Sequence, residues 1–113
     1  MPLKPLVCLG SSREDLRAFP DQARERAGFE LYRVQQGLPP HDWKSMTTVG
    51  PGVEELRIRI GQEFRVLYIA RFAEAVYVLH AFEKKSQKTA GRDVEIAAKR
   101  LAEVKRLRER GRT

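Results

Sequence analysis

The sequence predicts an α+β fold: a small antiparallel sheet, a meander plus an N-terminal strand, packed against two N-terminal helices and a C-terminal helix. Two observations carry that prediction. Residues 53–82 hold three successive runs dominated by β-branched and aromatic side chains, separated by connections short enough for antiparallel neighbours. On either side of them, residues 21–38 and 92–108 place apolar side chains at three- and four-residue intervals, the spacing of a helix that buries one stripe.

The elements follow in order. Leu6 to Leu9 is a short extended apolar segment. Ser11-Ser12-Arg13-Glu14 fits a capping box, with Ser11 accepting from a first-turn amide and Glu14 reaching back, so a short helix starts there. It ends near Phe19, because Pro20 lacks an N–H and disfavours helix at the preceding residue. From Asp21 the pattern restarts with Ala23, Ala27, Leu31, Val34 and Leu38 as the inner stripe, and Gly37 closes that helix. Arg24, Glu25, Arg26, Glu30 and Arg33 read as its solvated outer face.

Residues 39–52, bracketed by proline and glycine, are the only long irregular stretch. Trp43 and Met46 are expected to pin it onto the sheet, and His41 beside Asp42 is a candidate acid/base pair with no partner motif. The meander strands are placed at Val53–Ile60, Phe64–Phe72 and Ala75–Phe82, joined by Gly61-Gln62-Glu63 and Ala73-Glu74. Thr89 can cap the last helix, which runs from Arg92 to about Arg108 with Val94, Ala97, Ala98, Leu101 and Val104 inward. Residues 105–113 read as a frayed basic tail.

Length and composition limit what the chain can be. Its 113 residues are read as one domain, 1–113, with a single core. A formal charge of +7 favours a polyanionic partner, nucleic acid or the ribosome before an acidic protein or anionic lipid. No apolar run approaches the roughly 20 residues of a membrane helix, and the N-terminus lacks a signal-peptide core, so the expected location is cytoplasmic with no membrane partner. The lone Cys8 permits no internal disulfide and has no metal-ligand neighbours, so it is expected to pack as a small buried hydrophobe. No cofactor is expected, since there is neither a glycine-rich phosphate loop nor a dinucleotide fingerprint, and no metal site is expected.

In the first meander strand, alternation puts Leu56, Ile58 and Ile60 on one face and Glu55, Arg57 and Arg59 on the other. The second strand carries Arg65, and the third runs out into Lys84, Lys85 and Lys88. Cations gathered at one end of a small sheet ask for an anion.

With Gly50-Pro51-Gly52-Val53-Glu54-Glu55-Leu56-Arg57, Phe64-Arg65-Val66-Leu67-Tyr68 and Leu79-His80-Ala81-Phe82-Glu83-Lys84-Lys85-Ser86-Gln87-Lys88-Thr89 in this order, the chain resembles the RelE/ParE toxin superfamily, within it the phage-derived HigB-like branch of type II toxin–antitoxin systems. The resemblance runs from Leu6 to about Val104. It implies a RelE-like α+β domain that acts as a ribosome-dependent mRNA endoribonuclease inhibiting translation. The partners it implies are the ribosome and mRNA, and a cognate helix-turn-helix (HigA-like) antitoxin that neutralises the toxin in a hetero-oligomer. The alternatives are a non-catalytic ParE-like toxin that binds DNA gyrase, or a plain RNA-binding domain, because fold does not fix function. The sequence departs from RelE-like relatives in having no tyrosine or histidine after the basic motif, and in Ala90 standing where proline is usual after the Lys-Thr pair.

Metal-independent RNA cleavage needs groups that offset charge on the phosphoryl oxygens and a donor for the leaving 5′-oxygen. Arg57 and Arg65 are the candidate phosphate clamp, and Lys84, Lys85 and Lys88 the candidates for acid/base work, since crowded like charges lower a lysine's pKa. His80 is read either as an alternative acid/base group or as a hydrogen-bonded core residue, and Glu55 as the partner that orients an arginine. Arg59, Arg71 and Lys44 are candidate contacts to the RNA backbone, and Tyr68 is either core or a surface for base stacking. The whole reading requires these cations to share one side of the sheet, not neutralised by internal carboxylates.

Overall fold

The computed structural model describes residues 3–111; Met1, Pro2 and the last two residues of the basic tail, Arg112 and Thr113, lie outside the described residues. The elements in chain order are β1 (Leu6–Cys8), α1 (Ser12–Arg17), α2 (Asp21–Gln35), β2 (Trp43–Ser45), β3 (Val53–Ile60), β4 (Gln62–Ile69), β5 (Val76–Lys84) and α3 (Gly91–Arg110). The five strands form one sheet in the order β1-β5-β4-β3-β2.

The α+β class and the antiparallel meander β3-β4-β5 are as the sequence predicts. The N-terminal strand, by contrast, pairs parallel to β5, with Leu6 opposite Val76 and Cys8 opposite Val78, so the sheet is mixed. Two helices intervene between β1 and the meander, and they return the chain to the far side of the sheet before β2 begins.

Pleating gives the sheet two apolar faces. On one, Leu56 and Ile58 of β3, Phe64, Val66 and Tyr68 of β4, and Val76 and Val78 of β5 pack under Ala23, Ala27, Leu31 and Val34 of α2, with Phe19 closing one end. On the other, Val53, Leu67, Ile69, Tyr77 and Leu79 pack under Ala97, Leu101 and Val104 of α3, joined by Met46 and Val49. A helix layer on each side is how a small sheet hides both faces. Beyond that cluster the same face carries charged side chains of β3 and β4, of which Glu55 and Arg65 are buried and Arg57 and Arg59 reach solvent.

Several local expectations change. Residues 39–52 contain β2, an edge strand that pairs Trp43 with Leu56 and Ser45 with Glu54; all three of its residues are exposed, so no alternation of polarity marked it. Met46 is buried as expected, whereas Trp43 is exposed and does not pin the segment. Leu38 is exposed beyond the end of α2, and Glu30, assigned to the outer face, is buried. The carboxylate of Glu30 accepts from the His41 backbone N–H at 3.0 Å and meets His41 Nδ1 at 2.8 Å, which ties down the start of the 39–52 segment. His41 therefore pairs with Glu30, and Asp42 with Arg59, not with each other.

At the start of α1 the capping box is absent: Ser11 Oγ donates to Asp15 and makes no cap bond. At the other end of the chain the helix continues through Arg110, so residues 105–110 are not frayed; Arg108 stacks over Phe72 and pairs with Glu74.

The β3–β4 turn is tighter than predicted, with Gln62 and Glu63 already in β4 and the reversal centred on Gly61 at φ +68°. A Cβ at Gly61 would meet nothing within 4 Å, so a substitution there tests backbone conformation alone. Gly61→Ala is expected to cost about 1–2 kcal/mol in urea unfolding, with Gly61→Asn costing less, since Asn tolerates the left-handed region.

Candidate active site

Register and pleat assemble one patch of charge. Lys44 of β2 stands opposite Glu55, Glu55 opposite Leu67, and Leu67 opposite His80. The next row holds Arg57, Arg65 and Phe82, and the one after it Arg59, Glu63 and Lys84. Side chains directly opposite on neighbouring strands share a face, so six of the sequence-predicted residues, Lys44, Arg57, Arg59, Arg65, His80 and Lys84, lie on the α3 side of the sheet.

At the centre sits Glu55, a fully buried carboxylate. Its Oε1 lies 3.4 Å from Nε of both Arg57 and Arg65, and its Oε2 accepts from the Thr89 hydroxyl at 2.8 Å. A buried carboxylate is tolerable only when paired and hydrogen-bonded, and this one has a partner for each oxygen. Thr89 thus does not cap α3, whose N-cap is Ala90 with no side-chain cap bond; it fastens the 85–90 segment to the floor of the site. A hydroxyl that leaves the cap for a partner 34 residues earlier gives no signal in the local sequence.

Arg65 is 1% exposed, which corrects the expectation that it clamps a phosphate directly. Its Nη1 donates to the Phe64 carbonyl at 3.1 Å and its Nη2 to Glu63 at 2.6 Å, while Nε, buried, finds no aligned hydrogen-bond acceptor. Arg65 is a positioning residue beneath the surface. It holds the Glu63 carboxyl below the usual carboxylate range, chiefly through that hydrogen bond. Arg57, directly across the ladder, keeps 22% of its side-chain surface exposed, and its guanidinium is the accessible one.

Lys84 is partly buried over the same row, and its ammonium is pushed below the ordinary lysine value first by desolvation and then by the Arg65 charge. Beyond it, Lys84, Lys85, Lys88 and Arg92, together with the carboxylates Glu83 and Asp93, line a pocket of about 160 Å³ at the start of α3, with Phe82 as one wall. The expectation that internal carboxylates leave the cations unneutralised fails for Arg57 and Arg65, paired with Glu55 and Glu63, and for Arg59, paired with Asp42; among the described residues it holds for the three lysines, which form no ion pair.

Two other expected site residues, Tyr68 and Arg71, fall elsewhere, and His80 shares the face without lining the pocket. Tyr68 faces α2, on the opposite side of the sheet, where it is fully buried and donates to Glu54 at 2.8 Å; burial and that carboxylate push its hydroxyl pKa up, and no base can stack on it. Arg71 lies past the far end of β4, against Gly52. His80 has the correct face but is 7% exposed, held at 2.7 Å from Asp93 of α3 and stacked on Phe82, so it anchors that helix and does not line the lysine pocket. Among the described residues no group of three or more His, Cys, Asp and Glu side chains is placed to hold a metal ion. No helix among them is long and apolar enough to cross a membrane.

Truncating Arg65 strands the buried Glu55 charge. Arg65→Ala is expected to lower stability by roughly 3–5 kcal/mol, read from urea unfolding, whereas replacing Arg65 and Glu55 together by leucines recovers most of that loss.

No curated protein matches the chain. The family model described as "Phage derived protein Gp49-like (DUF891)" matches residues 14–102, a span that contains the strands β2 to β5, Thr89 and most of α3, and the chain belongs to that family.

Proposed function

We propose that this protein is the toxin of a type II toxin–antitoxin pair, of the HigB-like branch of the RelE superfamily, and that it cleaves ribosome-bound mRNA without a metal. The observation that carries this reading is the convergence of Arg57 and Lys84 over the buried Glu55–Arg65 pair, beside a lysine-lined pocket. Membership of the Gp49-like family is compatible with a toxin, and the net charge of +7 with a ribosomal or RNA partner.

In the reaction, the 2′-hydroxyl attacks the adjacent phosphorus, the phosphoryl oxygens gain charge, and the bond to the 5′-oxygen breaks to leave a 2′,3′-cyclic phosphate and a 5′-hydroxyl. Arg57, pre-oriented by Glu55, offers its remaining N–H groups to the phosphoryl oxygens, where fixed donors matter most in the transition state. Lys84 donates a proton to the leaving oxygen: desolvation and the neighbouring arginine make its ammonium a stronger acid than an ordinary lysine. Lys85 and Lys88 hold the flanking phosphates by charge, and Lys44 and Arg59 extend that contact along the sheet. Arg65 acts through Glu55 and Glu63 and never touches RNA.

Induced expression is expected to stop translation and to leave 5′-hydroxyl cuts in ribosome-bound messages; intact mRNA with altered DNA supercoiling would favour the gyrase-binding alternative. Lys84→Met should lower the cleavage rate by about 10²–10⁴-fold without loss of ribosome binding, and full activity of that variant overturns the assignment.

The pH dependence has a definite sign. A proton donor works only while protonated, so cleavage should fall as pH rises through the depressed Lys84 value, below the range of an ordinary lysine. Arg57 is one of the cations that depress it, so in Arg57→Gln the falling limb should move to higher pH while the maximum rate drops. A limb that stays in place would show that another group donates the proton.

A further inference from the structure

Strict alternation along β5 would carry Val76, Val78, His80, Phe82 and Lys84 to one face of the sheet. They do not share one. Val76 and Val78 pack toward α2, whereas His80, Phe82 and Lys84 lie on the α3 side, because the ladder with β4 shifts by one residue between Leu67 and Tyr68. Tyr68 pairs with Val78 and Leu67 with His80, which leaves Leu79 as the extra residue. A shift of this kind re-aims every side chain after it, so its place in the strand decides which way Lys84 faces.

Three elements meet at Leu79. Its carbonyl accepts from Arg100 Nη1 of α3 at 2.9 Å, while Arg100 Nη2 donates to Ser11 Oγ at 3.1 Å, and that hydroxyl donates to Asp15 of α1. One residue earlier, the Val78 carbonyl accepts from the Leu9 N–H and the Ser12 hydroxyl. The chain before the shift is therefore tied to the turn between β1 and α1, and the extra residue to α3. Leu79 is fully buried, where the carbonyl of a residue outside the ladder needs a donor, and Arg100 supplies one.

Gly10 makes room for that guanidinium. It turns at φ +55°, and a Cβ there would stand 2.5 Å from Arg100 Nε, so a side chain at this position and the arginine compete for one space.

We propose that Arg100 is a positioning residue for the proton donor: by holding the Leu79 carbonyl it fixes the one-residue shift in the β4–β5 ladder, and with it the face from which Lys84 reaches the RNA. What Lys84 does there rests on the toxin reading; where Arg100 puts it does not. On that face the ammonium meets Glu55 and Arg57 of β3 and Glu63 and Arg65 of β4. Across the lysine pocket stand Arg92 and Asp93 of α3, with Lys85 and Lys88.

The test follows the side-chain NMR shifts of Lys84 through the alkaline range in the full chain. Arg100→Met frees the Leu79 carbonyl and should move the Lys84 titration up toward the ordinary lysine range, because the ammonium leaves its desolvated place beside Arg65. Arg100→Lys keeps a donor on the same helix turn and should restore the original titration. Gly10→Ala should move it as Arg100→Met does, since the added Cβ displaces the guanidinium, and should add nothing in the Arg100→Met background. Cleavage by Arg100→Met should fall by up to about 10²-fold with ribosome binding unchanged, and its falling limb should lie at higher pH. A Lys84 titration that stays in place in folded Arg100→Met or Gly10→Ala, that moves in Arg100→Lys as far as in Arg100→Met, or that shows additive effects in the double variant overturns the proposal. If Arg100→Met does not fold, Gly10→Ala and Arg100→Lys decide it on the same readout. A titration that moves as expected in a protein that cuts no RNA removes the nuclease reading and leaves Arg100 in its role.

Discussion

The site depends on a single buried carboxylate. Glu55 lies under the sheet surface with two arginines on one oxygen and the Thr89 hydroxyl on the other. In a region of low polarity a charge of that kind fixes everything that neutralises it, because each partner lost would leave it unpaired at a cost of several kcal/mol. It therefore sets the rotamers of Arg57 and Arg65, and it holds the segment between β5 and α3 against the floor. The lysines of that segment are brought to the site by a threonine that carries no charge.

Around this pair the charged groups divide by depth. Arg65 is covered and spends its donors on Glu63, on the Phe64 carbonyl and near Glu55; Arg57 is partly exposed; Lys85 and Lys88 face solvent. A buried cation is not wasted electrostatically. Its charge adds to desolvation, the larger cause, in lowering the pKa of Lys84, and a buried charge is screened by salt less than one in open solvent. Arginine suits the buried role because it stays charged and distributes several donors in a plane, whereas lysine suits the outer one because its pKa responds to the surroundings.

The two helix layers have different work. Against α2 the sheet is apolar along most of its length, with Tyr68 closed off by Glu54, and this side supplies much of the core. Against α3 the fully buried packing ends at Leu79 and Ala97, with Phe82 and Val94 partly buried beyond them, and the His80–Asp93 contact pins the first turn of that helix there. The one-residue irregularity in the β4–β5 ladder falls at the same level, and it puts His80, Phe82 and Lys84 on the α3 face after Val76 and Val78 on the other. Without it, Lys84 would point toward α2.

Much of the fold could be read along the chain, because strand and helix periodicity are local signals: Leu56, Ile58 and Ile60 against Glu55, Arg57 and Arg59, or the Ala97, Leu101 and Val104 stripe, need no knowledge of what they pack upon. The same alternation put Arg57 and Arg59 on a charged face, whereas Lys84 reaches that face only through the one-residue shift in the β4–β5 ladder, which the period of two does not foretell. Sequence could not decide what depends on partners far apart in the chain. The direction of β1, the edge strand β2 with no buried residue, the burial of Glu30, the diversion of Thr89 to Glu55, and the placing of Tyr68 beneath α2 are each set by which surface arrives opposite. Residue type and spacing thus determined the cations and the sheet that carries them; only tertiary packing decided which of those cations meets solvent, since burial belongs to pairs of surfaces and not to any one stretch of chain.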